Sequence, residues 1–400
     1  MGSGKTTWSI DYINSTDDNV LYVTPFKDEI NRIISSVKRP MTQPLNRGKG
    51  KMHNLSELLK RDDDIASTHE LFKHLNSECQ ELLRQKSYTL ILDEVLNVLE
   101  SVELKKNDLS ILLDSGCITI EHDNFVSWNP EKTDYESRYD ELKLLAENHV
   151  LLSVNGCMLL WRYPPEIFDL FDKVIIMTYM FDASIMSAYF KMFNITYDLK
   201  SIKCDVDAGK SKYYLTDYYE PDTTIYQNLI NIYDGVLNTN FKQKKTGLSK
   251  SWFSSKNSKD DITTLKKNMT NYRRNILNAK SNTMLWTTFK SYKSKLSGEG
   301  YAKSFLACNA RSTNEYSERY NLMYAVNIYL NPMIVSFLKE HGVELDAETM
   351  DRYALSEMLQ WIWRSRIRNQ QSINIYIPSI RMRSLLEQWL KISGEHEKAA

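Results

Sequence analysis

The sequence lacks any uninterrupted apolar run of about 18 residues, so no transmembrane helix is expected. Its N-terminus also lacks the apolar segment of a secretory signal peptide. Cysteine is scarce, and none of the five cysteines forms a C-x-x-C pair. This pattern argues against a disulfide framework or a zinc ribbon and favours a reducing cytoplasm. The seven histidines are dispersed, so no structural metal site is expected.

Charge of one sign is not in excess either, because 51 Lys and Arg side chains balance 51 Asp and Glu side chains. This balance excludes a uniformly basic nucleic-acid coat, and 400 residues with 42% hydrophobic content suffice for two or three globular domains. Residues 240–281 nevertheless hold eleven basic and two acidic side chains, with aromatic residues between them. Such a segment is typical of a single-stranded nucleic-acid track, or of a solvated loop followed by a charged helix face. On the first interpretation, Lys250 and Trp252 are candidate contacts.

The first chemical motif begins at the second residue and reads Gly2-Ser3-Gly4-Lys5-Thr6-Thr7. It matches the second half of the phosphate-binding loop G-x-x-x-x-G-K-[ST], in which backbone N–H groups close around phosphates. Lys5 would reach the β- and γ-phosphates and Thr6 would ligate Mg²⁺, at the start of a helix over residues 8–14. The alternative is a flexible Gly/Ser start. The motif's first glycine and its preceding strand are missing, so we expect the native reading frame to start upstream.

Short apolar segments alternate with helical ones after this motif, as in a parallel sheet with crossover helices. Strands are predicted at residues 19–23, 65–69, 88–92 and 174–177. The third strand ends in Asp93-Glu94, the pattern of a Walker B motif. Asp93 would hold Mg²⁺ and Glu94 would polarise the attacking water. Alternatively, both acids stand at a helix N-terminus and complement its dipole. Together with the phosphate loop, they favour a nucleotide site.

A second sheet is predicted in the last third of the chain. Its strands are expected at residues 283–287, 304–308 and 373–377, and its helices at 289–296, 322–330, 346–369 and 382–390. The longest helix carries Gln360, Arg364 and Arg368 at helical spacing, so the three would share one face. Two arginines held on one face can clamp a γ-phosphate as arginine fingers do. The alternative is a surface helix with salt bridges.

The order of these motifs resembles that of superfamily 2 DNA/RNA helicases. The resemblance covers nearly the whole chain and implies an α/β fold with two RecA-like P-loop NTPase lobes, in which helices flank parallel sheets and ATP lies in the cleft between the lobes. Residues 2–7 are similar to motif I of that family. Leu92-Asp93-Glu94-Val95 stands where the family has D-E-A-D or D-E-x-H. These two motifs are specific for nucleotide.

The other matches are weaker and imply contacts with a nucleic-acid backbone. Residues 24–27 look like motif Ia, residues 67–69 like the threonine-bearing motif after it, residues 178–184 like the coupling motif, and residues 283–290 and 308–316 like motifs IV and V. The contacts that this resemblance implies are Thr24, Pro25, Ser67, Thr68, His69, Asn309, Arg311 and Asn314.

Residues 360–368 look like motif VI, with two departures. Trp363 replaces a glycine, and the second arginine does not stand at the family's spacing, so Arg366 and Arg368 both remain candidates for the second finger. Together with residues 308–316, this segment also resembles helicase-like proteins encoded by bacteriophages and prophages. The resemblance therefore implies the cytoplasm of a bacterial host.

The sequence thus predicts an ATP-dependent helicase or translocase that acts in phage DNA replication or recombination. Residues 1–185 are expected to form the ATP-binding lobe, and residues 186–400 the second lobe with a basic insertion at about 240–281. The expected cofactors are ATP and Mg²⁺. The expected partners are nucleic acid, DNA rather than RNA, and replication proteins, but no membrane. The alternative is a nucleotide-switched protein that binds or remodels nucleic acid without unwinding it.

Overall fold

The computed structural model describes residues 4–102, 104, 106–132, 139–156, 158–207, 210–238, 245–310 and 315–392. Its strands are β1 (Asn19–Thr24), β2 (Met41–Thr42), β3 (Asp64–Thr68), β4 (Tyr88–Asp93), β5 (Leu99–Val102), β6 (Ile118–Ile120), β7 (Val126–Trp128), β8 (Leu151–Val154), β9 (Met158–Arg162), β10 (Lys173–Met177), β11 (Lys200–Asp207), β12 (Lys210–Asp217), β13 (Ile230–Ile232), β14 (Met284–Thr287), β15 (Asn321–Tyr324) and β16 (Ile373–Tyr376).

Helices connect most of these strands. They are α1 (Lys5–Ser15), α2 (Lys27–Ser36), α3 (Lys51–Lys60), α4 (His69–Lys73), α5 (Ser77–Gln85), α6 (Lys106–Asp114), α7 (Asp140–Glu147), α8 (Ile185–Met192), α9 (Lys250–Ser254), α10 (Lys259–Asn271), α11 (Lys293–Leu296), α12 (Pro332–Glu340), α13 (Ala347–Ile362) and α14 (Ile380–Trp389). In the described part of the chain, no helix is long and apolar enough to cross a membrane.

The first lobe is built on a five-stranded parallel sheet with the strand order β10-β4-β1-β3-β2. Its interior strands β1 and β4 are almost wholly buried, which explains their continuous apolar sequences. All four predicted strands of this lobe are confirmed. Because the strands are parallel, their carboxyl ends meet at one edge, where Thr24, Thr68 and Asp93 are the last residues of β1, β3 and β4.

An insertion separates β4 from β10. It contains the antiparallel sheet β5-β9-β8 and the hairpin β6-β7. Helices α6 and α7 pack on this hairpin and form a separate apolar core with it, around Leu112, Ile118 and Trp128. The insertion therefore adds no strand to the parallel sheet, although side chains of β5, β8 and β9 also pack in the main core of the first lobe.

The second lobe has a four-stranded parallel sheet with the order β13-β16-β15-β14. Helices α13 and α14 pack in one apolar core, and α9, α10 and α11 contribute to another that contains other side chains of the same strands. The predicted fold class, α/β with two lobes of parallel sheet flanked by helices, is confirmed. The domain boundary at residues 185/186 stays a prediction.

Two predicted elements of the second lobe are wrong. Residues 322–330 were expected to be helical, but β15 occupies their start, between β14 and β16. A buried strand in the middle of a sheet is apolar on both faces, so its sequence lacks the alternation that distinguishes a strand from a buried helix. The strand expected at 304–308 is reduced to one bridge between Phe305 and Trp286.

The two lobes contact each other through several segments. Helix α12 belongs to the second half of the sequence, yet Ile334, Phe337 and Leu338 lie in the main core of the first lobe. In addition, the Asn331 side chain donates a hydrogen bond of 3.0 Å to the Ser101 hydroxyl of the insertion. The second half of the chain is thereby anchored on the first lobe and on its insertion.

Candidate nucleotide-binding site

The phosphate-loop motif lies at the beginning of α1. Gly4 precedes the helix with φ +78°, a left-handed conformation that glycine adopts without strain, and no side chain caps the helix there. The first backbone N–H groups of a helix have no partner within it, so those of Lys5, Thr6 and Thr7 are available to an anion. Gly2 and Ser3 lie outside the described residues. The structure therefore places residues 4–7 of the motif at the N-terminus of α1.

Asp93 stands at the carboxyl end of β4 and is 9% exposed. The buried Thr24 hydroxyl donates to its carboxylate over 3.4 Å. Burial raises the pKa of Asp93 to about 7, and the negative charges of Glu94 and Glu29 add to this effect, whereas the positive charge of Lys5 opposes it. Lys5 and Glu29, which are both distant from Asp93 in sequence, therefore act electrostatically on its buried carboxyl together with the adjacent Glu94.

Glu94 follows directly, with φ +70°. A non-glycine residue in this region carries backbone strain, and the surrounding structure must hold it there. The Glu94 N–H donates to the carbonyl of Met177 over 3.2 Å, and the Thr178 hydroxyl donates to the Glu94 carboxylate over 3.2 Å. The end of β10 thus fixes both the backbone and the side chain of Glu94.

The same loop after β10 joins the site to the second lobe. Asp182 forms an ion pair of 2.6 Å with Arg352 of α13. The Trp389 indole of α14 donates to the Tyr179 hydroxyl over 3.1 Å. The segment that positions Glu94 therefore also contacts two helices of the second lobe.

Glu29 of α2, a carboxylate that was not predicted as a site residue, is linked electrostatically both to Asp93 and to the second lobe. It pairs with Arg32. Burial raises the pKa of Glu29, while the positive charges of Arg32, Arg368 and Arg364 oppose that rise. The structure therefore brings both candidate fingers within electrostatic range of the first lobe. The sequence signal for Glu29 was its place in the first turn of a helix, three residues before Arg32.

The helix expected to carry both arginines ends before them, so the predicted shared helix face is wrong. Helix α13 ends at Ile362, and residues 366–369 form a 3₁₀ turn. Gln360 is buried at 6% exposure within α13. Arg364 and Arg368 lie in the turns that follow the helix, and the positive charges of both lower the pKa of Glu29.

Arg366 has a different environment. Its Nε donates to the Ser372 carbonyl over 2.7 Å, and its guanidinium lies 4.1 Å from the centre of the Tyr320 ring. These contacts fix the turn before β16 rather than directing the side chain to the first lobe. The structure therefore favours Arg368 over Arg366 as the partner of Arg364.

Several residues that were predicted to contact nucleic acid do not lie on an open surface. The side chains of Thr24 and Ser67 are buried, which contradicts a direct backbone contact through them. The Thr68 hydroxyl caps α4 by accepting from the Leu71 N–H, and the His69 ring lies 3.1 Å from the Asp93 carbonyl. Pro25 is half-buried. These residues support the carboxyl edge of the first sheet.

A basic surface is present on the second lobe, and we call it the basic face. It comprises the exposed lysines and adjoining rings of α9, α11 and the turn before α11: Lys250, Trp252, Lys290, Tyr292, Lys293 and Lys295. Tyr292 stacks on Phe253 with ring centres 4.8 Å apart, and its hydroxyl lies 2.6 Å from that of Ser254. Lys295 lies 5.0 Å from the centre of the Tyr292 ring.

The basic face extends the predicted basic insertion beyond residue 281. Residues 245–303 hold thirteen basic and three acidic side chains. Counting charges past the end of the insertion would have found this extension. Asn309 is exposed on the same lobe, whereas Arg311 and Asn314 lie outside the described residues.

The donor set suits a divalent cation that also has other ligands. Among the described residues, no group of three His, Cys, Asp or Glu side chains could hold a metal ion. Mg²⁺ is commonly bound through one or two carboxylates together with substrate phosphates and water. Asp93 and the Thr6 hydroxyl are oxygen donors of this kind, and a cation would offset the mutual repulsion of Asp93, Glu94 and Glu29.

Comparison with known proteins adds the following. The family model of the YonV C-terminal Rossmann-like domain matches residues 224–390, and that of the YonV middle domain matches residues 99–161. The SPbeta prophage-derived protein YonV of Bacillus subtilis (strain 168) is 39% identical over 404 residues, 98% of this chain and 97% of that protein. The matched domains correspond to the second lobe and to the insertion.

Two solved structures are also similar. One is an XPD helicase, with 13% identity, a TM-score of 0.44 and coverage of 98% of this chain and 93% of the other. The second is the structure of S. tokodaii Xpd4, with 12% identity, a TM-score of 0.45 and coverage of 97% and 92%.

Proposed function

The chain belongs to the YonV family, and we propose that it is an ATPase that moves on nucleic acid as a helicase or translocase. The observation that carries this proposal is the electrostatic link between three separate parts of the sequence. Lys5 at the beginning of α1 and the acids Glu94 and Glu29 act on the buried Asp93, and Arg364 and Arg368 of the second lobe act on Glu29. Nucleotide hydrolysis needs these three functions: phosphate binding, water activation and stabilisation of the transferring phosphoryl group.

Each residue then has a definite task. The N–H groups at the start of α1 and the Lys5 ammonium bind the phosphates of ATP, while Glu94 orients and deprotonates the attacking water. Arg364 and Arg368 stabilise the charge that develops on the γ-phosphate. Mg²⁺, held by Asp93 and Thr6, would neutralise phosphate charge when bound. Glu29 attracts the two arginines to this side of the cleft.

Movement would follow from the contacts of the loop after β10. Thr178 touches Glu94, and Tyr179 and Asp182 touch the second lobe. A change in the hydrogen bonding of Glu94 would therefore reach α14 through Thr178 and Tyr179, and α13 through residues 178–182. The basic face then carries the phosphate backbone of the strand on which the protein moves.

The test is ATP hydrolysis by the full chain alone and with single-stranded DNA, duplex DNA or RNA, beside a duplex-unwinding assay. We expect stimulation by nucleic acid, strongest with DNA, and no hydrolysis by Lys5→Ala. Stimulated hydrolysis without strand separation would indicate a translocase or a nucleotide-switched remodelling protein. Equal phosphate release by the wild type and Lys5→Ala would refute the proposal.

The arginines give a matched pair of variants. Arg368→Ala should lower kcat for hydrolysis at least 100-fold, because a finger stabilises the transition state far more than the ground state. Arg366→Ala should leave kcat within about threefold and instead lower the melting temperature, because it loses the Ser372 and Tyr320 contacts. Steady-state kinetics and thermal melting of both variants measure this. The reverse result would assign the finger to Arg366.

Removal of the basic face should weaken binding of single-stranded DNA. Lys290, Lys293 and Lys295 changed together to Ala should lose about tenfold in affinity and reduce the salt dependence of binding, because fewer phosphates are neutralised. Changing Lys38, Lys191 and Lys339 to Ala alters net charge equally on exposed sites elsewhere and is the control. Equal losses in the two triple variants would show that only net charge matters.

A further inference from the structure

A β-hairpin connects the two lobes and lies beside the phosphate loop. Strands β11 and β12 form an antiparallel pair between α8, whose side chains pack in the first core, and β13 of the second sheet. A Cβ added at Gly4 would lie within 2.9 Å of the Tyr213 Cζ and closer still to two other ring carbons. The Tyr213 ring thus covers the residue at which the phosphate loop enters α1.

One face of the hairpin is apolar. In antiparallel strands, directly paired residues share a face, and here the pairs are Ile202 with Leu215 and Cys204 with Tyr213. Ile202 and Tyr213 pack against the apolar cluster of α1 and the first sheet that contains Trp8. These contacts hold the hairpin against the first lobe at this position.

The same face remains partly uncovered next to Tyr213. Leu215 is 44% exposed, and Val206, two residues beyond Cys204 on the same strand, is 71% exposed. A flat, apolar ligand group that packed on these side chains would remove their apolar surface from water, which favours binding. Both side chains lie on the same face of the hairpin as Tyr213, whose ring is next to Gly4.

We propose that Tyr213 is a nucleotide-binding residue, which stacks on the base of the nucleoside triphosphate whose phosphates lie at the start of α1. This inference rests on the proposed function. The Tyr213 ring lies against Gly4, directly before the N–H groups that are proposed to bind the phosphates, and stacking accepts any base because every base has a π-face. Since the hairpin is the chain connection between the lobes, the base contact also links nucleotide occupancy to that connection.

The test compares two ligands, ATPγS and inorganic tripolyphosphate, by titration calorimetry with Mg²⁺ on the full chain. Tyr213→Ala should weaken ATPγS binding about tenfold and leave tripolyphosphate binding unchanged, because only the first ligand has a base. Tyr213→Phe should bind both as the wild type does. Tyr213→Leu keeps an apolar contact with the first lobe but cannot stack on a base, so its affinities should match those of Tyr213→Ala. It is also the control for misfolding of the alanine variant.

Tyr214→Ala is the matched control, since Tyr214 is the next residue and points to the opposite face of the hairpin. It should bind both ligands normally. Wild-type affinity of Tyr213→Ala for ATPγS would overturn the inference, as would an equal loss for both ligands, which would make Tyr213 a support of the loop. If the wild type binds neither ligand, or binds both as well as Lys5→Ala does, the proposed nucleotide site itself fails.

Discussion

Replacing Glu94 by Gln should abolish ATP hydrolysis while ATP still binds. General-base catalysis contributes a factor of about 10²–10⁴, so we expect at least a 100-fold loss in kcat. The amide is isosteric with the carboxylate and can still accept the hydrogen bond from Thr178, so the local structure should persist. Phosphate release and the Kd for ATPγS measure the two effects separately. A variant that hydrolyses within twofold of the wild type would remove Glu94 from the mechanism.

Thr178→Val provides a graded comparison. It removes the 3.2 Å hydrogen bond to Glu94 but leaves the carboxylate in place. The base would then be less well oriented, and we expect a smaller loss of kcat, about tenfold, with little change in the Kd for ATPγS. A loss as large as that of Glu94→Gln would show that Thr178 contributes more than orientation.

The sequence was most informative where chemistry depends on short local motifs. Residues 4–7 stand at the start of α1 and Asp93-Glu94 at the carboxyl end of β4, the two places that the motifs indicate. The strands of the first lobe were equally predictable, because parallel strands buried on both faces are short apolar runs between turns. The order of elements then determines which loops share the carboxyl edge of the sheet.

Contacts between distant segments were not predictable in this way. Nothing near Glu29 in the sequence indicates that the charges of Arg364 and Arg368 act on it, because that effect depends on how the second lobe lies against the first. Helix α13 likewise had no proline or glycine to mark its end at Ile362, and the helical spacing continued past it. The sequence therefore identified Arg364 and Arg368 as candidates but did not predict that they lie beyond the end of α13.

The interlobe hairpin shows a signal that could have been used. Ile202, Cys204 and Val206 alternate with polar residues, which is the period of a strand with one apolar face. The packing of the hairpin against α1 is tertiary structure, however, which a local pattern does not predict. Tyr213 can approach α1 closely only because Gly4 has no side chain. The sequence pattern could therefore predict the hairpin but not the helix against which it packs.

The buried acid site also predicts how stability depends on pH. Because the pKa of Asp93 is raised to about 7, the folded protein binds this proton more tightly than the unfolded chain does. An unperturbed Asp has a pKa of about 3.9, so the ionised group destabilises the fold progressively as pH rises from about 4 to 7. Asn cannot ionise. Asp93→Asn should therefore be more stable than the wild type at pH 8, by about 2 kcal/mol or several degrees in Tm, while losing hydrolysis.

Asp64→Asn is the contrasting control. Asp64 is buried at the start of β3 and burial raises its pKa too, but it forms an ion pair of 2.5 Å with Arg39 and accepts from the Val20 N–H over 2.8 Å. Its loss leaves Arg39 without that partner, so this variant should melt below the wild type at pH 8. Thermal melting at pH 5 and pH 8 measures both. A gap between Asp93→Asn and the wild type that does not widen from pH 5 to pH 8 would contradict the ionisation argument. Adding Mg²⁺ and ATPγS should narrow that gap, because a cation at Asp93 offsets the charge that destabilises the wild type.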